Sequence, residues 1–141
     1  MGRTRTPRVG QPLMRWLLDT NVWIDAHAGR PDASRVFTQA RAAQEAWIGF
    51  SAITRLEALG FSGLTVADDK ALRELLAQFE EVPVRSDVID EAIRLRQLHK
   101  LKSPDAIIAA TALLQQAEVV TRNTGDFKKV AGLSVLDTQS F

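Results

Sequence analysis

The 141-residue chain is 45% apolar and 25% charged, the size and balance of one globular domain with a real core and too short for two. With no cysteine, disulfides and thiolate metal sites are excluded; two histidines, His27 and His99, leave little for a histidine-based site, so any bound metal must be held by oxygen. A net charge of +1 neither requires nor forbids a polyanionic partner, and the lack of a membrane-length apolar run or hydrophobic leader predicts a soluble, cytoplasmic protein.

Residues 1–13 carry Arg3, Arg5 and Arg8 with two prolines and no apolar periodicity, and read as a flexible basic arm before a single domain over residues 14–141. Met14, directly before the first strand, offers an alternative start. Trp16, Leu17 and Leu18 form an apolar run that stops at Asp19, and Thr20 and Asn21 can cap a helix through Val22, Trp23 and Ile24. This reads as a buried strand delivering an acid at its carboxyl end, the edge where open α/β sheets bind ligands. After a turn at Gly29 to Pro31, the spacing of Ala33, Val36, Phe37, Ala40 and Ala43 predicts a helix.

Residues 46–50 predict a second strand, ended by Ser51 as the cap of a helix over 52–61 with Ile53, Leu56 and Leu59 on its apolar face and Glu57 near its middle. Thr65 and Asp68 suggest a capping box before a helix whose buried stripe is Leu72, Leu75, Leu76 and Phe79. Residues 82–84 suggest an edge strand, and Ser86 caps a helix that turns Val88, Ala92 and Leu95 inward and ends in a basic tail over 94–102. Ser103 and Pro104 open an almost wholly apolar helix that nevertheless begins with Asp105. Residues 118–121 and 133–136 predict the last strands, with Asp126 in the loop between them. The alternation predicts an α/β fold with a mainly parallel sheet covered on both faces.

Strand ends and the starts of the following helices share one sheet edge, so Asp19, Asp105 and Asp126 can converge there with Glu57 leaning in. Each acid also has an ordinary reading: a helix cap for Asp19, a dipole-favoured first turn for Asp105, a surface residue for Glu57, a turn-former for Asp126.

The runs Leu17 to Asp25, Thr54 to Glu57, Asp105 to Thr111 and Val120 to Phe127, in this order, resemble the PIN-domain ribonucleases and most closely the VapC-type toxins of bacterial toxin-antitoxin pairs. The resemblance spans about residues 14–136 and implies a PIN-like three-layer α/β/α sandwich. It places the family's acidic positions, as catalytic residues and metal ligands, on Asp19, Glu57, Asp105 and Asp126, with Asn21, Thr121 and Asn123 as supporting polar residues. It further implies a Mg²⁺- or Mn²⁺-dependent endoribonuclease, a homodimer, and a small VapB-like antitoxin as partner. Hard oxygen ligands suit those ions, and a divalent cation removes the repulsion among clustered carboxylates.

Arg122, Lys128, Lys129 and the tail from Arg94 to Lys102 are candidates for gripping RNA phosphates, with a solvated helix face as the plain alternative for the tail. Other readings are a stand-alone PIN nuclease in RNA processing and a non-catalytic PIN-like binding module. A phosphotransferase of the haloacid-dehalogenase kind needs a second Asp two positions after the first, where this chain has Asn21.

Overall fold

The structure, a computed structural model, describes Met14 to Phe141. The expected arm over residues 1–13 lies outside the described residues. Five strands, β1 (Met14–Leu18), β2 (Ala46–Ser51), β3 (Glu80–Val82), β4 (Glu118–Thr121) and β5 (Val135–Asp137), form one sheet in the order β3-β2-β1-β4-β5. Every pairing is parallel, so all carboxyl ends lie on one edge. Around the sheet stand α1 (Thr20–His27), α2 (Pro31–Ala42), α3 (Ala52–Leu59), α4 (Val66–Leu76), α5 (Ser86–Leu98), α6 (Ser103–Gln115) and the single turn α7 (Thr124–Phe127).

The central strands are apolar on both faces because both are covered. Leu17 and Val119 point into a core shared with α5, α6 and α7, while Trp16, Leu18, Ile48, Phe50 and Val120 point into the opposite core with α1, α2 and α4. This is the period-two alternation of a strand placed between two helical layers, and it gives the expected three-layer sandwich. In the second core Trp23 is fully buried, meets Phe37, Phe50 and Phe79 edge-on at centroid distances of 5.0, 5.1 and 5.6 Å, and donates its indole N–H to the Leu18 carbonyl at 3.2 Å. Trp23 thereby ties α1 to the end of β1.

Several local expectations shift. Asp19, with extended backbone, is itself the cap of α1, and Thr20 is the first helical residue. On α3 Ile53 and Leu59 pack against the cores as expected, but Leu56 is 66% exposed and the fully buried residues are Thr54 and Ala58. Thr65 does cap α4 by accepting from the Asp68 amide at 3.0 Å, but the Asp68 carboxylate bonds His27 at 2.8 Å instead of completing a capping box. The edge strand is residues 80–82, not 82–84, because Pro83 has no N–H for the ladder. Arg85 and Lys102, rather than Ser86 and Ser103, occupy the cap positions of α5 and α6, without side-chain caps. Asp126 lies on α7 rather than in an open loop, and β5 begins at Val135 rather than 133.

Candidate active site

The parallel sheet carries Asp19 to its carboxyl edge on central β1, where the Asp19 amide still bonds the Val120 carbonyl of β4 at 2.9 Å. Because α6 feeds β4 through a two-residue link, its first turn, with Asp105, must start at that same edge. Ser51, accepting from the Ile53 amide at 3.2 Å, turns the end of β2 into α3 and so sets Glu57 above it. The turn after β4 supplies Asp126.

Asp19 is only 5% exposed. One oxygen accepts from the Thr20 amide at 2.8 Å, and the other accepts from the Thr121 hydroxyl at 2.8 Å and the Asn21 amide group at 3.3 Å. The Thr121 hydroxyl spends its single proton on Asp19 and accepts from Asn21 at 3.3 Å and from the Asn123 backbone amide at 3.0 Å. Asn21 in turn accepts from the Arg122 amide at 3.3 Å, so Asn21 and Thr121 support Asp19 through their side chains and Asn123 through its backbone.

Despite these donors, burial pushes the Asp19 carboxyl up to about 6, with the nearby charges of Asp105 and then Glu57 adding to the rise. Asp105, half-buried, is also raised, first by burial and then by the charges of Asp126 and Glu57, with Lys102 opposing. The charges of Asp105 and Glu57 thus reach Asp19, and those of Asp126 and Glu57 reach Asp105, although lost hydration, not repulsion between acids, is the leading cause of both shifts. Among the described residues no ion pair reaches Asp19, Glu57 or Asp105, whereas Asp126 is paired with Lys129 at 3.2 Å.

Two threonines that the sequence reading had not assigned to Glu57 hold it. The Thr20 hydroxyl donates to Glu57 Oε1 at 2.8 Å and lies 3.0 Å from the hydroxyl of Thr54, which is fully buried. Since the Thr20 proton is committed to the carboxylate, Thr54 is the donor to Thr20, and the chain Thr54 to Thr20 to Glu57 runs one way. Thr54 lies three residues before Glu57 and hence on the same side of α3, a signal hidden behind the apolar residues assigned to that face.

The basic candidates divide. Arg122 pairs with buried Asp25 at 3.2 Å, Lys129 with Asp126, and Arg94 with Glu91, so these three are already engaged. Lys128 and Lys102 make no ion pair among the described residues.

Among the described residues, no three acidic or histidine side chains close on a common point as a finished cation cage would. Glu57 is turned toward Thr20 and Asp126 toward Lys129. The donor set nonetheless fits a hard divalent cation: the buried Asp19 carboxyl carries a raised pKa with no cationic side chain beside it, and the acids nearest in charge are all carboxylates.

The fold and the edge cluster define a parallel α/β protein with a group of acids at the carboxyl ends of its central strands. A PIN-domain profile matches residues 16–133, and the chain belongs to the PIN-domain family. Among solved structures it is similar to a chain of a toxin-antitoxin complex from Klebsiella pneumoniae, with 34% identity, 86% of this chain and 96% of that chain covered, and a TM-score of 0.73. It is also similar to FitAcB from Neisseria gonorrhoeae, at 29% identity, with 89% and 99% covered and a TM-score of 0.68. VapBC-1 from nontypeable Haemophilus influenzae, 23% identical with a TM-score of 0.75 over 89% and 99% of the two chains, shares the fold. No curated protein sequence matches the chain. The resemblance to VapC-type PIN proteins is thus borne out, and among the described residues no helix is long and apolar enough to cross a membrane.

Proposed function

We propose that this chain is a metal-dependent endoribonuclease that hydrolyses RNA phosphodiester bonds and acts as the toxin of a VapBC-type pair. The observation that carries the reading is the buried, unpaired Asp19 carboxyl, raised to about 6 within charge range of Asp105 and Glu57 at the carboxyl edge of a PIN fold. Asp19 and Asp105 would hold Mg²⁺ or Mn²⁺, with Glu57 and Asp126 completing the set directly or through water. Such an ion supplies an activated water and neutralises charge on the phosphorus-bound oxygens. Thr121 and Asn21 keep the Asp19 carboxylate oriented, Thr20 and Thr54 do the same for Glu57, and Lys128 is free to meet substrate phosphate.

Purified protein is expected to cleave RNA with Mg²⁺ or Mn²⁺ and to lose that activity in excess chelator and in Asp105→Asn. Cleavage that survives either change refutes the assignment. Substrate panels rather than one generic RNA are required, because such specificity can be narrow.

The Thr54 relay gives a finer expectation. Thr54→Val should reduce cleavage about 10–100-fold, the usual effect of removing a partner that orients a ligand, while Thr54→Ser restores it. Equal activity of the valine and serine variants in single-turnover assays would leave Thr54 a packing residue only.

The similarity to a chain of a toxin-antitoxin complex supports a small antitoxin as partner, and a homodimer accords with the exposed apolar residues Ile89, Ile93 and Leu98 on α5. Co-expression with the adjacent small gene should yield a complex in which cleavage is suppressed. If no complex forms and activity is unchanged, a stand-alone PIN nuclease is the better description.

A further inference from the structure

On the same carboxyl edge, Arg122 is held by an acid that the proposed site leaves out. Asp25, on the last turn of α1, is a carboxylate only 8% exposed. Arg122 Nη1 stands 3.3 Å from its Oδ1 and 3.2 Å from its Oδ2, and Arg30, itself largely exposed, stands 3.5 Å from Oδ1. Asn21, one turn earlier on the same face of α1, accepts from the Arg122 backbone amide at 3.3 Å and donates to Asp19 at 3.3 Å. A single side chain thus separates the Arg122 backbone from the Asp19 carboxylate, and Arg122 directly follows Thr121, whose hydroxyl is on Asp19. With its backbone held, Arg122 has only its long side chain left to place. Asp19, buried beside the negative charges of Asp105 and Glu57, is the acid to which a loose guanidinium would be drawn most strongly. The pair is made instead with Asp25, six residues into α1 and so about 9 Å along the helix from Asp19.

We propose that Asp25 is a positioning residue that holds the Arg122 guanidinium off the acid group and so keeps Asp19 and Asp105 open to a divalent cation; this rests on the metal-dependent nuclease reading above. A guanidinium and a metal ion compete for the same carboxylate oxygens, and a guanidinium carried on the chain itself competes at high effective concentration. Asp25 removes that competitor by binding it elsewhere. A buried ion pair is a poor source of stability, because lost hydration offsets the attraction, and the Asn21 bond already ties α1 to the turn after β4. What Asp25 adds is control over where the Arg122 charge stands.

The test uses the full chain and Mn²⁺ alone, without RNA, with binding read by titration calorimetry and by the rise in melting temperature. Asp25→Asn should weaken Mn²⁺ binding about 10–100-fold, the usual effect of losing a residue that acts behind a metal ligand. Adding Arg122→Gln should restore most of the lost affinity, because no guanidinium is left to compete, whereas adding Arg30→Gln, the same change in net charge, should restore none. Asp25→Glu, which keeps the charge, should bind more tightly than Asp25→Asn. Melting in chelator reports whether each variant is folded, and Asp25→Ser, likewise uncharged, replaces Asp25→Asn if that chain does not fold. Parent-like Mn²⁺ affinity in the uncharged variant overturns the proposal, as does a loss that Arg122→Gln and Arg30→Gln relieve equally or not at all. Asp25 is then only a tie between α1 and the turn after β4. If the parent cleaves RNA while Asp25→Asn keeps its Mn²⁺ affinity, the positioning role falls and the nuclease reading stands. A parent whose Mn²⁺ binding follows the expected pattern, but which cleaves no RNA in substrate panels, sinks the nuclease reading and keeps the positioning role. A parent that binds no Mn²⁺ sinks both.

Discussion

Asp19→Asn should abolish RNA cleavage and at the same time make the metal-free protein more stable at neutral pH. A buried carboxyl raised from 3.8 to about 6 is ionised at pH 7 only at a cost near 3 kcal/mol to the fold, at about 1.4 kcal/mol per pH unit. The sign follows from proton occupancy. Between about pH 4 and 6 the unfolded chain has released this proton and the native chain still holds it, so the contribution to stability falls as pH rises through that window. Below it the contribution is fully present, and above it the loss is complete. Asp105 is raised for the same leading reason and adds to the trend, whereas Asp68, lowered by its bond to His27, and Glu91, lowered by Arg94, slope the other way.

Comparing parent and variant cancels those other groups. Asparagine also preserves the cap of α1, since it serves that position as well as aspartate does. Its amide keeps one acceptor oxygen but turns an NH2 toward groups that donated to the carboxylate, which offsets part of the relief, so we expect a net gain of about 1 kcal/mol at pH 7 that falls away toward pH 4. Millimolar Mg²⁺ should raise the melting temperature of the parent and not of the variant, because only the native acidic set would bind it. Melting curves of both proteins in chelator and in Mg²⁺ check all three points, and identical responses to Mg²⁺ would show that Asp19 is a helix cap and nothing more.

The largest structural loss is expected from Trp23→Ala. Removing a fully buried indole from among Phe37, Phe50 and Phe79 costs about 3–5 kcal/mol and leaves the Leu18 carbonyl without the indole N–H. Against a typical total of about 5–15 kcal/mol, that consumes much of the margin. Trp23→Phe keeps most of the aromatic area and should lose distinctly less. Denaturant titration with unchanged m-values would report both losses, and a Trp23→Ala cost under about 1 kcal/mol would contradict the packing described.

The layered fold was legible because its signals are periodic: apolar strands of matching length, amphipathic helices between them, and Pro104 just inside the start of α6. Asp19 stood out as an acid closing a buried run, and Asp105 as an acid opening a helix that is otherwise apolar. What stayed hidden depends on contacts made across the chain. The Asp25 to Arg122 pair and the Thr54 to Thr20 relay join residues whose separate neighbourhoods say nothing of each other. On α3, Ile53 and Leu59 pack against the two cores as expected, but Leu56 is an exposed hydrophobe and full burial falls on a threonine and an alanine. The Arg94 pair with Glu91, by contrast, lies within the helical i,i+3 spacing and could have been read from the sequence of α5.

The hydroxyl that holds Asp19 comes from Thr121, 102 residues further along the chain, and the carbonyl that pairs its amide belongs to the neighbouring Val120. Until β4 slots in beside β1, Asp19 is an ordinary hydrated carboxylate with an ordinary affinity for protons. The site thus depends on a pairing of high sequence separation, whose loop-closure cost must be met before Asp19 gains these partners. During synthesis the ribosome must release most of the chain before the site can exist. A chain with the activity proposed here would therefore be harmless while nascent, and truncation anywhere before β4 would leave it so.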